Sequence, residues 1–131
     1  MKLITSEDII ESITDSLQYI SYYHPPDYIK NLALAYELEE SKPAKDAMAQ
    51  ILINSRMCAE GRRPICQDTG IVTIFCRVGM NAEWNFDQPL DVLINEGVRR
   101  AYLHPDNKLR ASVLAEPAGA RRNPKDNTPA V

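Results

Sequence analysis

Residues 62–78 run Arg62-Arg63-Pro64-Ile65-Cys66-Gln67-Asp68-Thr69-Gly70 and then Ile71-Val72-Thr73-Ile74-Phe75-Cys76-Arg77-Val78. Here one apolar pattern gives way to another. Upstream, Ala44, Ala47, Met48, Ile51, Leu52, Ser55 and Ala59 recur at helical spacing, and Gly61 is placed to follow the helix cap. Downstream, a run rich in β-branched residues lies between two glycines, the pattern of a short strand with apolar groups on both faces. A helix that hands over to a strand across one short loop sets the class as α+β.

The same reading extends in both directions. Ser41, with Pro43 just inside, marks the start of the helix that ends at Gly61. Before it, Pro26 to about Glu39 forms another helix, with Ile29, Leu32, Ala33, Tyr36 and Leu38 on its apolar side. The first helix covers residues 6–22: Thr5 and Asp8 resemble a capping box, and Ile9, Ile10, Ile13, Leu17 and Ile20 follow in phase. His24-Pro25-Pro26 stops it, because proline cannot continue a helix and disfavours the α region for the residue before it. Toward the C-terminus, Asp87 to about Leu103 reads as a fourth helix, His104-Pro105-Asp106-Asn107 as a loop and residues 109–116 as a second strand. The expected architecture is a single domain over residues 1–131, with N-terminal helices leading into a small mixed β-sheet.

Composition limits what such a domain does. Of 131 residues, 44% are hydrophobic and 25% charged, as in a soluble globular domain. A formal net charge of −3 supplies no basic excess to neutralise a phosphate backbone, which argues against nucleic acid as a partner. No apolar run approaches the roughly 20 residues needed to span a bilayer. The opening Met1-Lys2-Leu3-Ile4-Thr5-Ser6-Glu7-Asp8 is too acidic and interrupted for a signal peptide. A cytoplasmic protein without a membrane partner is expected. Three cysteines at these spacings fit no disulfide framework.

The loop itself carries mixed polar chemistry. Cys66 offers a thiolate suited to iron, Gln67 a donor and an acceptor, Asp68 a carboxylate able to move protons, and Thr69 a hydroxyl. Gly70 lets backbone approach a ligand closely. The plainer reading makes Cys66 a small buried apolar residue and Asp68-Thr69-Gly70 an Asx-type turn into the strand.

Pro64-Ile65-Cys66-Gln67-Asp68-Thr69-Gly70, Leu109-Arg110-Ala111-Ser112 and Asp126-Asn127-Thr128-Pro129-Ala130 together resemble the N-terminal part of the class I, iron–sulfur-dependent fumarate hydratases. The lead-in Ile53-Asn54-Ser55-Arg56-Met57-Cys58-Ala59-Glu60-Gly61 fits as well, so the resemblance covers essentially the whole chain. It implies reversible addition of water to fumarate, giving (S)-malate, at a [4Fe-4S] cluster with one iron left open for substrate. It also implies a place in the tricarboxylic acid cycle and a homodimer for the full-length enzyme. By the family pattern Cys66 is a cluster ligand. Gln67 and Asp68 reach the dicarboxylate or its hydroxyl, with Asp68 as the candidate catalytic proton carrier, and Arg110 grips a substrate carboxylate. A guanidinium suits that grip because its planar fork binds carboxylate bidentately. Without the resemblance, Arg110 reads as a surface ion pair and Asp126-Asn127-Thr128 as a plain turn.

Departures from the pattern are as informative. The family's other two cluster cysteines, and the histidine, arginines, lysine and threonine that complete its site, find no match in this chain. Cys58 sits on a helix stripe and Cys76 inside the strand, so both read as core; His24 and His104 read as turn or surface residues. The resemblance therefore implies an N-terminal fragment of a larger fumarase-type hydratase, which alone neither assembles a cluster nor hydrates fumarate. Two alternatives stand beside it: an L-tartrate dehydratase of the same fold, with the same Cys-Gln-Asp-Thr-Gly motif, and a non-catalytic helical interaction domain. Asp126-Asn127-Thr128-Pro129-Ala130 looks more like the fumarase form.

Overall fold

A computed structural model describes residues 3–131. Its elements follow in the order β1 (Ile4–Thr5), α1 (Ser6–Tyr22), α2 (Pro26–Leu38), α3 (Lys42–Gly61), β2 (Trp84–Asn85) and α4 (Leu90–Tyr102). The class is α+β. β1 and β2 make a two-stranded parallel sheet with Ile4 opposite Trp84 and Thr5 opposite Asn85. The start of α1 is a true reciprocal cap: the Asp8 carboxylate accepts the Thr5 backbone N–H at 2.9 Å, while Thr5 Oγ1 accepts the Asp8 N–H at 3.2 Å.

Two compact units can be told apart. One comprises the chain up to Gln18 together with Gln67–Val131, and the other comprises Tyr19–Cys66. In the first unit, Val72, Val98, Ala101, Tyr102 and Leu109 form a buried cluster, with Ile13, Leu17, Ile74, Ala111 and Ala130 packed against it. Buried Gln18 supports that core from inside: its Nε2 donates to the carbonyls of Ala101 (2.7 Å) and Asn107 (3.0 Å), and its Oε1 accepts from Asn107 Nδ2 at 2.9 Å. Burying an amide is costly unless its groups are bonded, and these are. The second unit is built on α2 and α3, where Ser55 and Cys58 are buried.

Several expectations are corrected. Residues 71–78 do not form a strand, and neither do residues 109–116. The backbone of the first segment is tied to Val131 at two points, Val131 N–H to Val72 O and Ile74 N–H to Val131 O, both 2.9 Å. A run that is apolar on both faces suits a strand covered on both sides. Here Val72 and Ile74 reach the core while Phe75 stays 94% exposed. Without a ladder to impose alternation, Cys76 is exposed rather than packed in the core. α4 begins at Leu90, not Asp87, because Pro89 takes the N-cap position. At the end of α3 the left-handed residue is Arg62, with φ 48°, rather than Gly61.

Candidate functional site

The site loop is anchored at its base within the second unit. Arg62 turns the chain off α3, and the Arg63 N–H reaches back to the Cys58 carbonyl at 3.1 Å. Pro64 follows, its carbonyl accepting the Cys58 thiol at 3.5 Å. Both backbone groups of Ile65 are then used: its N–H donates to Ser21 O at 2.8 Å and its carbonyl accepts Asn54 Nδ2 at 3.1 Å. Cys66 comes directly after this clamp, exposed. Cys58 is buried in the helix, as its place on the apolar stripe predicts. His24 is not a plain surface residue: Nδ1 lies 3.0 Å from Ser55 Oγ, and the ring stacks on Tyr28 at 4.6 Å.

Cys66 closes the second unit, and its peptide bond to Gln67 enters the first. Gln67 and Asp68 are exposed. Asp68 Oδ1 accepts the Gly70 N–H at 3.1 Å, so the Asx-type turn expected of this stretch is present. Gly70 has φ 66°, which a residue with a Cβ rarely adopts. Thr69 then ties the loop to two other segments. Its hydroxyl donates to the Arg110 carbonyl, and its own carbonyl accepts the Tyr102 hydroxyl at 3.1 Å.

A third segment completes the arrangement. Asn127 is fully buried; its Nδ2 donates to Gly70 O at 3.0 Å, and its Oδ1 accepts the Ser112 and Val113 N–H groups at 2.7 and 3.1 Å. The three separate segments singled out in the sequence thus meet: Asp68–Gly70, Arg110–Ser112 and Asn127. Leu109 is buried in the core and Arg110 is exposed, so the backbone that carries the guanidinium is held while its head reaches solvent. Tyr102 is a residue whose part in this arrangement the sequence did not single out; Asn127 lies in a segment that the resemblance singles out, but its three bridging bonds were not foreseen. The signal available for Asn127 is its residue type, since asparagine is among the few residues that adopt the left-handed region readily, as it does here at φ 62°.

The cluster implied by the resemblance can be tested against the donor set. Among the described residues, no three His, Cys, Asp or Glu side chains come together in a group that could hold a metal ion. Cys66, an exposed thiol on a loop with an anchored base, fits one corner of an iron–sulfur cluster. Buried Cys58 is committed to Asn54 and Pro64. The chain therefore fits one ligand, not the whole set.

Beside α4 in the first unit lies a cleft of about 620 Å³, lined among others by Asn95, Glu96, Arg99, Arg100, Asp126 and Thr128. Its charges largely satisfy one another. Arg99 and Arg100 both hydrogen-bond Glu96, and Arg100 also pairs with Glu7. The Arg99 guanidinium, with Arg100 beside it, holds the Glu96 carboxyl down at about 2 against the opposing cost of burial. Both arginines are raised in turn, Arg99 chiefly by Glu96 and Arg100 chiefly by Glu7. Asp126 Oδ1 accepts the Thr128 N–H at 3.1 Å and its hydroxyl at 2.8 Å, and Ala130 N–H donates to Asn95 Oδ1 at 2.8 Å, which fastens this C-terminal turn to α4.

Two comparisons with known proteins bear on the chain's family. The family model described as Fumarate hydratase (Fumerase) matches residues 10–131. A curated relative, the putative L(+)-tartrate dehydratase subunit alpha of Methanocaldococcus jannaschii, is 29% identical over 93 residues, which are 71% of this chain. The matched part spans about a third of that relative's length, 33%.

Proposed function

The chain belongs to the Fumarate hydratase (Fumerase) family of hydro-lyases, and on that premise we propose that it forms the N-terminal part of an enzyme adding water reversibly to fumarate to give (S)-malate. Hydration places a hydroxyl on one alkene carbon and a proton on its neighbour, with no net oxidation. It needs a grip on the dicarboxylate and a group that moves a proton.

In this reading Arg110 pairs with one substrate carboxylate through its planar fork. Gln67 supplies an amide that both donates and accepts, suited to a carboxylate or a hydroxyl. Asp68 moves the proton; its Oδ1 is held by the Gly70 N–H at 3.1 Å, which restricts how the carboxylate can turn. Cys66 serves as one ligand of a [4Fe-4S] cluster, which when bound supplies Lewis acidity at an iron left open to substrate. One thiolate cannot hold a cubane that takes protein ligands at three or four irons, so the 131 residues alone are expected to be inactive. The complete enzyme is read as a cytoplasmic homodimer. The observation that carries the proposal is the bond from the Thr69 hydroxyl to the Arg110 carbonyl, which supports bringing the Gln67–Asp68 loop and the arginine to one place.

L-tartrate dehydration is the second reading, favoured by the name of the curated relative. It is the same class of reaction on a dicarboxylate with one more hydroxyl. The Asp126–Ala130 segment favours the fumarate form.

The test uses the complete hydratase, with and without Cys66→Ala, reconstituted with iron and sulfide under anaerobic conditions. Fumarate absorbance and malate formation are followed, with L-tartrate as the competing substrate. Hydration of fumarate by the wild type, with loss of cluster absorbance and activity in Cys66→Ala, supports the proposal. Turnover of L-tartrate alone selects the second reading. A Cys66→Ala variant that keeps its cluster and full activity overturns the site assignment and favours a non-catalytic, interaction role for these 131 residues within the enzyme.

A further inference from the structure

We propose that Asn127 is the positioning residue of this site, setting the register between the Gln67–Asp68 loop and the Arg110 segment through its side-chain amide; the inference rests on the functional reading above. Asn127 is 0% exposed, so water cannot replace the bonds it makes. It reaches both halves of the substrate grip through their backbones. On one side its Nδ2 holds the carbonyl of Gly70, whose N–H binds the Asp68 carboxylate. On the other its Oδ1 collects the N–H groups of Ser112 and Val113, next along the chain from Arg110 and Ala111.

The residue type follows from this geometry. The site needs one donor and one double acceptor on a short planar group, from a backbone at φ 62°. Aspartate supplies the acceptor without the donor, and serine lacks the reach to bond both sides. The bridge is itself fastened. The following Thr128 is tied to Asp126 and Ala130 to Asn95 of α4, so Asn127 transmits the position of α4 to the two segments rather than drifting with them.

Two variants of the complete hydratase separate positioning from folding. Asn127→Gly keeps the left-handed backbone without strain and removes all three side-chain bonds. The expected result is a fall in kcat/KM of about 100-fold, with KM raised and kcat lowered together and cluster absorbance unchanged, since Asn127 does not hold Cys66. Asn127→Asp keeps the acceptor for Ser112 and Val113 but cannot donate to Gly70. It is expected to lower kcat more than it raises KM, because the Arg110 half of the grip is kept while the Asp68 loop is released, a split that general destabilisation does not produce. Wild-type kcat and KM in Asn127→Gly overturn the proposal, as does a raised KM with unaltered kcat in Asn127→Asp. Should Asn127→Gly not fold, the Asn127→Asp split decides. If the wild type turns over neither fumarate nor L-tartrate, the functional reading has failed, and amide spectra of the 131-residue chain then test the bridge alone. Movement of the Ile71, Ser112 and Val113 resonances in Asn127→Gly, with Ser55 and Cys58 unmoved, supports it; unmoved resonances at all three overturn it.

Discussion

The Thr69 hydroxyl donates to the backbone carbonyl of Arg110, 41 positions further along the chain. Thr69→Val keeps the shape of the side chain and removes the donor. Losing one such bond costs about 1 kcal/mol, roughly fivefold in an equilibrium constant. In the complete hydratase, Thr69→Val is expected to raise KM for the dicarboxylate by about fivefold with a smaller effect on kcat, and Thr69→Ser to restore it. Steady-state kinetics on the pair checks this; an unchanged KM in Thr69→Val means the bond does not hold the arginine segment.

Gly97 of α4 lies against Ile13 of α1 so closely that an added Cβ would fall 2.8 Å from Ile13 Cβ and 3.0 Å from the Ile10 carbonyl oxygen. Alanine is ordinarily the better helix residue by about 0.5–1 kcal/mol. Here the branched Cβ of Ile13 and the Ile10 carbonyl block it, and overpacking of this kind costs about 1–3 kcal/mol. Gly97→Ala should therefore lower the stability of the first unit by about 1–2 kcal/mol and Tm by several degrees. Thermal unfolding of the 131-residue chain is the measurement, and an unchanged or raised Tm contradicts the close approach.

Acid should weaken the fold partly through Glu96. Its carboxyl is held at about 2 in the folded chain, below the ordinary 4.5, so the unfolded chain binds the proton more readily. The stabilisation is present above pH 4.5 and is lost as pH falls toward 2. Arg99 and Glu96 are 47% and 28% exposed, so solvent screens the pair and the contribution is about 1 kcal/mol or less. Tm of the wild type should drop more steeply across that window than Tm of Glu96→Gln, whose curve lacks this component. Parallel curves would show that the ion pairs stabilise nothing.

The three thiols should separate by reactivity. Cys66 and Cys76 are exposed and Cys58 is buried. Under native conditions iodoacetamide should label Cys66 and Cys76 first, with Cys58 labelled only as the second unit opens. Mass spectrometry of the digested protein reads the order directly. Early labelling of Cys58 would contradict its packing in α3.

Much of this was legible before the fold. The three N-terminal helices and their limits follow from local causes: a capping pair at Thr5 and Asp8, prolines at 25 and 26, and apolar side chains at helical intervals. Cys58 in the core follows from the same periodicity. The motif segments around Cys66, Arg110 and Asp126 were readable as candidates through their resemblance to the hydratase family; by residue type alone Arg110 reads as a surface ion pair and Asp126-Asn127-Thr128 as a plain turn.

What the sequence could not decide were matters of distance along the chain. Residues 71–78 have the composition of a strand, but a strand exists only where a partner backbone supplies a ladder, and the paired residues turned out to be Ile4–Thr5 with Trp84–Asn85. The fate of Cys76 followed from that choice. The role of Asn127 was equally hidden: an asparagine before a threonine and a proline reads as a turn, and its three bonds appear only when residues 70, 112 and 113 converge on it. Local sequence sets helix limits because helical bonds close within four residues; sheets and buried bridges join residues far apart in the chain, so only tertiary packing selects them.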